Sequence, residues 1–279
     1  MTNNGMEIDL GLDLIDTSEF GLSTAINWST NENEVTDLFG TESINLSPGA
    51  SVSSRAVVGY PLGSLYGTGS QTNPDGSFIL NSNGFPQITS SPIVLGDPNP
   101  DWRGGISLSM RYKKFRLNAV LEHSEGGDFS PRTLWVLRRF GTTQETANRI
   151  TLDQPLVNYR GNTIPAGTTV RGNIKDFGGG PVLLDENWYR TGIGGGFGDN
   201  QAYNFSIADA TFTKLRDLSL SYVIDTPLVT NIGLSDVIVS LTGRDLININ
   251  KVEGIDPEIN TKGVSAVSYT HLTLPTKSG

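Results

Sequence analysis

The stretch Trp102-Arg103-Gly104-Gly105-Ile106-Ser107-Leu108-Ser109-Met110-Arg111-Tyr112 decides the fold. Taken at every second residue, one set reads Trp102, Gly104, Ile106, Leu108, Met110 and Tyr112; the other reads Arg103, Gly105, Ser107, Ser109 and Arg111. A period of two belongs to a β-strand, whose side chains alternate between opposite faces. One face is apolar with an aromatic at each end, and the other is small or charged. Ten residues separate Trp102 from Tyr112, about 33 Å at roughly 3.3 Å per residue. A tilt of about 40° reduces that to about 25 Å, the height of the apolar band between the aromatic girdles of a membrane β-barrel. A strand in a soluble sandwich needs only about five or six residues.

The same alternation recurs in three pairs. The first is predicted at Met6–Asp16 and Glu19–Thr30, reversing around Thr17 and Ser18. Met6, Ile8, Leu10, Leu12 and Leu14 share one parity against Glu7, Asp9, Gly11 and Asp13; Phe20, Leu22, Ile26 and Trp28 oppose Glu19, Gly21, Ser23 and Asn27. Acidic groups on the inner parity suit a wet lumen, and on a lipid face they are costly. The second pair is Trp102–Tyr112 and Phe115–His123, joined by Lys113-Lys114 rather than by the Asn-Gly that two-residue hairpins favour. The third is Phe212–Ile224 and Asp236–Leu246, with Lys214 and Arg216 on the apolar parity, which demands a bulge or emergence above the membrane. Between the pairs run long Gly- and Asn-rich links, from about Asn31 to Asp101 and from about Ser124 to Ala210. Short links on one side and long ones on the other are the rhythm of a transmembrane barrel. In the first long link Glu32–Phe39 predicts a helical turn, and Tyr60-Pro61-Leu62-Gly63 and Asn73-Pro74-Asp75-Gly76 are turn signals.

Composition bounds the function. Among 279 residues the hydrophobic share is 36%, with 33 glycines, a turn-rich profile below that of an ordinary globular domain. No run approaches the eighteen or so apolar residues of a spanning helix, which leaves barrels open. A net charge of −9 argues against nucleic-acid binding, which needs a basic footprint. With no cysteine there is no thiol catalysis, disulfide or Cys-ligated metal.

Histidine occurs only at His123 and His271, so no ordinary His-based triad or multi-His metal site exists; His123 reads as a strand-end interfacial residue. Gly192–Gly198 (GIGGGFG) lacks the G-x-G-x-x-G spacing and the Lys-Ser/Thr of phosphate loops, and reads as a flexible loop. Asp256-Pro257-Glu258 and Asn31-Glu32-Asn33-Glu34 offer oxygen ligands but match no EF-hand, so turn and helix-start roles are expected. The second long link holds Trp135, Tyr159, Phe177, Trp188, Tyr189, Phe197 and Tyr203. These aromatics suit stacking on sugars or peptides, but packing of the loops against each other is the stronger expectation for any one of them. No catalytic, cofactor, metal or ligand-contact residue is assigned, and no cofactor is expected.

Several segments carry a family resemblance. They are Val94-Leu95-Gly96-Asp97-Pro98-Asn99-Pro100-Asp101-Trp102-Arg103-Gly104-Gly105, then Arg111-Tyr112-Lys113-Lys114-Phe115, then Gly126-Gly127-Asp128. Further on come Asp209-Ala210-Thr211-Phe212-Thr213-Lys214-Leu215-Arg216-Asp217-Leu218-Ser219-Leu220-Ser221-Tyr222 and Gly243-Arg244-Asp245-Leu246, followed by Gly254-Ile255-Asp256-Pro257-Glu258. In this order, over about Met6 to Pro257, the chain resembles the SusC/RagA group of TonB-dependent outer-membrane receptors, with Asp245 where Asn is usual. The resemblance implies an all-β, antiparallel transmembrane β-barrel, here an incomplete C-terminal part forming a curved open sheet with long extracellular loops. It implies a nutrient-uptake receptor of the Gram-negative cell outer membrane, not an enzyme, importing glycans, oligosaccharides or peptides. Its implied partners are a SusD-like surface lipoprotein as lid, TonB acting through an N-terminal part, the ligand and outer-membrane lipid.

Residues 1–265 are expected to form the barrel portion. MTNNGMEIDL lacks the features of a secretory signal, so the reading frame is expected to extend upstream. Val267–Leu272 (VSYTHL) back-translates to GTC TCT TAT ACA CAT CT, which looks like a sequencing transposon adapter, so 266–279 are expected to be a non-native tail. If the short turns are periplasmic, one more descending strand is expected after the third pair. Two other readings stand beside this one: a soluble carbohydrate-binding β-sandwich, whose apolar faces must pack together, and a β-fold hydrolase using paired carboxylates.

Overall fold

Each of the six alternating stretches forms a strand in the structure, a computed structural model that describes residues 1–47, 51–190, 194, 201–227, 233, 237–252 and 254–259. The strands are Thr2–Asp16, Phe20–Glu34, Trp102–Tyr112, Phe115–Glu125, Phe212–Ile224 and Val237–Asn250. They lie side by side in chain order in one open antiparallel sheet. Each strand pairs with the next, so the chain traces three hairpins linked at one end by long excursions. The predicted non-native tail, 266–279, lies outside the described residues, as does the interior of the third turn.

Register makes the two faces continuous. Leu10 stands opposite Ile26, Ile26 opposite Ile106, Ile106 opposite Leu121, Leu121 opposite Leu215 and Leu215 opposite Ile247. This row crosses all six strands, and five of its six side chains are exposed. Met6, Ile8, Leu12, Leu220 and Leu241 belong to the same bare face, and Leu241 is 78% exposed. A single sheet with an uncovered apolar face is the arrangement of a barrel wall; a sandwich buries that face against a second sheet. Near the short turns an aromatic row follows the register: Phe20 beside Tyr112 at 6.5 Å between ring centroids, and Phe115 beside Tyr222 at 4.6 Å. At the long-loop end Trp102 lies 4.7 Å from the His123 ring. The two aromatic belts foreseen from Trp102 and Tyr112 are therefore present.

Bulges keep the parity. The pairing shifts between Asp13 and Ile15, leaving Leu14 unpaired and returning Ile15 to the apolar side opposite Leu22. The shift between Leu215 and Asp217 passes over Arg216, so Lys214 stands opposite Glu122 on the polar face while Leu215 and Leu218 both stay apolar. The bulge demanded by Lys214 and Arg216 is thus found. On the neighbouring strand the same break passes over Asp245 and Leu246, and Asp245 takes a left-handed φ of 48°.

Trp102–Tyr112 and Phe212–Ile224 keep their predicted bounds while the other four strands run longer than predicted, and the helical turn expected at Glu32–Phe39 does not form. Glu32, Asn33 and Glu34 instead pair with Asn4, Asn3 and Thr2. The preceding strand supplies hydrogen-bond partners that local propensity does not anticipate, and tertiary pairing overrides it. Asn31-Glu32-Asn33-Glu34 is accordingly strand rather than helix start.

The long links have cores of their own. In the first, Ser43–Ser47, Ser53–Val57, Ser64–Gly67 and Ile93–Gly96 form a four-stranded sheet. In the second, the helix Arg132–Phe140 ends on Gly141 in the left-handed conformation, and Thr169–Asp176 pairs with both Arg149–Thr151 and Pro181–Asp185. Phe85, Phe177, Trp188 and Tyr189 pack together, as do Trp135, Tyr203, Val52 and Leu65. The aromatics expected to pack loop on loop do so across both links; Phe197 lies outside the described residues, as does Gly192–Gly198 apart from Gly194.

Candidate functional site

Two polar assemblies and a cleft occupy the long-loop end and the polar face. The first assembly ties the ends of the hairpins together. Gly126 and Gly127 follow the fourth strand with φ of 75° and 77°. A Cβ on Gly126 would lie 2.5 Å from Asp101 Oδ2, and one on Gly127 would lie 3.2 Å from the Pro98 carbonyl oxygen. Only glycine meets both demands, a left-handed backbone and a close approach. The Gly126 N–H donates to Thr211 Oγ1 at 3.0 Å, the Ala210 N–H to the Gly127 carbonyl at 2.8 Å, and the Asp128 N–H to the Asp97 carbonyl at 2.6 Å. The segments 97–101, 126–128 and 209–211 therefore form one clasp, which explains why these short motifs share a chain.

Carboxylates crowd the clasp. Asp128 accepts the Asp97 N–H at 3.0 Å. Burial pushes its carboxyl above the usual carboxylate range, and the charges of Asp97, Asp209 and Asp101 add to the effect. Burial acts in the same direction on Asp209, but Lys251 at 2.6 Å and the hydrogen bonds from Thr211 outweigh it and hold Asp209 below that range.

The second assembly is an ion network on the polar face of the last hairpin. The Lys214 side chain is only 2% exposed and donates to both carboxylate oxygens of Asp256 at 2.7 Å and to Glu258. Arg216, on the bulge, pairs with Glu122 and Glu258 and lies 3.4 Å from Asp245. Phe212 sits under both cations, 4.9 Å from Lys214 Nζ and 5.6 Å from the Arg216 guanidinium. Burial would raise the carboxyls of Asp256 and Glu258, yet Lys214 and Arg216 hold both below their ordinary values. Asp256-Pro257-Glu258 takes the expected helix-start role, Asp256 Oδ1 accepting the Glu258 N–H at 3.0 Å at the head of the 3-10 turn Pro257–Ile259, and it also fastens the chain after the sixth strand to the sheet. Its partners lie 42 and 44 residues away, a separation no local pattern signals.

His123 stands at the strand end as expected. Its Nδ1 is 2.8 Å from Thr213 Oγ1 and its Nε2 is 3.0 Å from Glu125 Oε2. His271 lies outside the described residues. Among the described residues no three His, Asp or Glu side chains are grouped to hold a metal ion. A cleft of about 1010 Å³ opens between the helix Arg132–Phe140 and residues Lys251, Val252, Gly254 and Ile255, with Leu134, Leu137 and Phe205 also in its walls. The chemistry on offer is that of a scaffold and of binding surfaces.

An antiparallel meander with one bare apolar face, aromatic belts and loops built into their own body defines the wall of a transmembrane β-barrel. Comparison with known proteins places that wall. The chain is similar to TonB-dependent receptor P3 of Formosa agariphila, 24% identical over 288 residues, covering 93% of this chain and 25% of the relative. Among solved structures it is similar to the RagAB peptide transporter (19% identity, 92% of this chain and 26% of that one, TM-score 0.57). It also matches the RagAB peptide importer in the open-open state (18% identity, 93% and 26%, TM-score 0.57). No family model matches the chain. These likenesses bear out the resemblance carried by the motifs, that of the chain to part of a SusC/RagA-like TonB-dependent receptor. It spans about a quarter of the length of the relatives it matches, and those relatives are a receptor and transporters rather than enzymes.

Proposed function

We propose that this chain is barrel wall and loop body of an outer-membrane TonB-dependent uptake receptor that imports glycans, oligosaccharides or peptides. A SusD-like lipoprotein covers its loops, and TonB supplies the force through another part of the receptor. The observation that carries the reading is the apolar face, on which five of the six residues in the row from Leu10 to Ile247 are exposed. Lipid is the solvent that such a face fits, with the polar face turned to a wet lumen. The similarity to a TonB-dependent receptor and to RagAB supports the uptake role and the lipoprotein partner.

This chain has no cysteine of its own, so a direct test places single cysteines in it, with any cysteine elsewhere in the receptor first replaced by serine. Single cysteines replacing Ile106, Leu121, Ser107 and Asn118 in the complete receptor are spin-labelled in lipid vesicles. Labels at 106 and 121 are expected to be accessible to oxygen dissolved in the bilayer, and those at 107 and 118 to a water-soluble nickel reagent. Equal access of the nickel reagent to all four sites would reject a lipid-facing sheet. Loss of labelled-ligand uptake on removing TonB tests the transport half.

A further inference from the structure

The cleft beside the helix Arg132–Phe140 holds about 1010 Å³, at the top of the roughly 300–1,000 Å³ range of ligand sites. Its walls come from four separate pieces of the chain: the helix, the turn Gln144–Ala147, the segment around Ser206, and the residues after the sixth strand. Every charged side chain in these walls already has a partner of opposite sign. Arg138 lies 2.9 Å from Glu145, and Lys251 lies 2.6 Å from Asp209. Arg138 also donates to the Phe205 carbonyl at 3.2 Å and so ties the helix to the floor. The apolar part of the wall is aliphatic, with Leu134, Leu137, Ile207, Val252 and Ile255. Among the described residues the wall holds a single aromatic, Phe205, which packs into the loop core. Its ring lies 5.9 Å from Phe78, 5.9 Å from Phe177 and 5.5 Å from Trp188. Two neutral groups are left to bond. Gln144 is exposed, and its amide has no hydrogen bond among the described residues. Ser206 is 3% exposed; its carbonyl accepts the Trp135 indole N–H at 2.9 Å, but its hydroxyl has no partner among the described residues.

We propose that this cleft binds an uncharged stretch of extended peptide, seating an aliphatic side chain against Leu134, Leu137 and Ile255 while Gln144 and Ser206 bond its backbone. An aliphatic wall gains by taking an aliphatic side chain out of water. An amide and a hydroxyl supply both the donors and the acceptors that a peptide backbone needs. A charged side chain would lose its hydration here and find no free counter-charge. A sugar ring would find no open aromatic face, and its hydroxyls would lose water against leucine and isoleucine. Of the ligands left open for the uptake receptor, the peptide is therefore the one this cleft fits; the assignment rests on that uptake reading for its biological meaning.

The test is isothermal titration of the complete receptor in detergent. The probes are an acetylated and amidated pentapeptide alternating serine and leucine, the same peptide with aspartate or with lysine for leucine, and a neutral oligosaccharide of similar length. The leucine peptide is expected to bind at least about tenfold more tightly than each of the others, the effect of taking one such side chain out of water. Added salt is expected to leave that affinity unchanged. Leu137→Asn is expected to lose about tenfold in affinity for the leucine peptide, and Gln144→Ala about threefold to tenfold. Leu137 is 38% exposed and Gln144 is exposed, so neither variant is expected to shift the melting temperature. Phe140→Ala, on the same helix but outside the cleft, is expected to change nothing. No binding of the leucine peptide, equal binding of the charged peptides or the oligosaccharide, or unaltered affinity in both Leu137→Asn and Gln144→Ala would each overturn the assignment. The titration needs neither lipid nor TonB. A failed spin-label test beside a positive titration would remove the membrane reading and leave the site; the reverse would remove the site and leave the receptor.

Discussion

Lys214 shows how a single residue joins the strand pattern to the loops. Its side chain, 2% exposed, holds Asp256 and Glu258 against the sheet, and each carboxylate side chain is itself only 24% exposed. Replacing it with methionine, Lys214→Met, keeps the bulk and leaves two carboxylates short of a cation. Breaking a buried ion pair in this way costs about 3 kcal/mol or more, and a lower melting temperature with faster proteolysis near residue 256 is expected. Acid acts on the same network with a definite sign. Asp256 and Glu258 have folded-state values below their unfolded ones. Their contribution is complete above the ordinary carboxylate range and is lost only as pH falls through the lowered folded values. Melting followed from neutral pH into acid should show this loss in the wild type and much less of it in Lys214→Met. Lys214 and Arg216 were legible as a conflict in the strand pattern, and the conflict correctly demanded a bulge. Their partners were not legible, because an ion pair between sites 42 residues apart leaves no periodic trace.

At the scale of the element, the bulge opposite Arg216 depends on Asp245, whose φ of 48° lies in the left-handed region. Non-glycine residues enter that region at a cost of about 1–2 kcal/mol, and the short polar side chains of Asn and Asp tolerate it best. An aspartate is therefore tolerated at this position. Asp245→Asn is expected to fold with stability within about 0.5 kcal/mol of the parent. Asp245→Val, β-branched and unable to bond locally, is expected to lose about 2 kcal/mol, read as a shift in denaturation midpoint. The long strands were legible because period-two alternation is strong over eleven or more residues. Glu32–Phe39 was misread because its first three residues, Glu32, Asn33 and Glu34, carry no hydrophobic period; pairing with Thr2–Asn4 decides their conformation. The small sheets of the long links were hidden for a related reason. Strands of four or five residues, such as Ser64–Gly67, are too short for alternation to show.

For the whole molecule, one substitution on each face distinguishes a membrane wall from a soluble sheet. Ile106 lies midway along its strand in the six-strand apolar row and is 46% exposed. If water bathed that face, Ile106→Arg would replace a half-exposed hydrophobe with a hydrated cation and change stability by no more than about 0.5 kcal/mol. In a bilayer the same arginine sits near the midplane, where it costs about 2–4 kcal/mol. Ser107, one residue on, projects to the polar face beside Val120 and Ala25. There arginine meets a wet, charged lumen, and a change within about 1 kcal/mol is expected. The measurement is equilibrium folding of the complete receptor in lipid vesicles, scored by the gel-mobility difference between folded and heat-unfolded barrel. A large loss for Ile106→Arg with a small one for Ser107→Arg assigns the apolar row to lipid. Equal and small effects would mean that the apolar face meets water, and the transmembrane reading would fall.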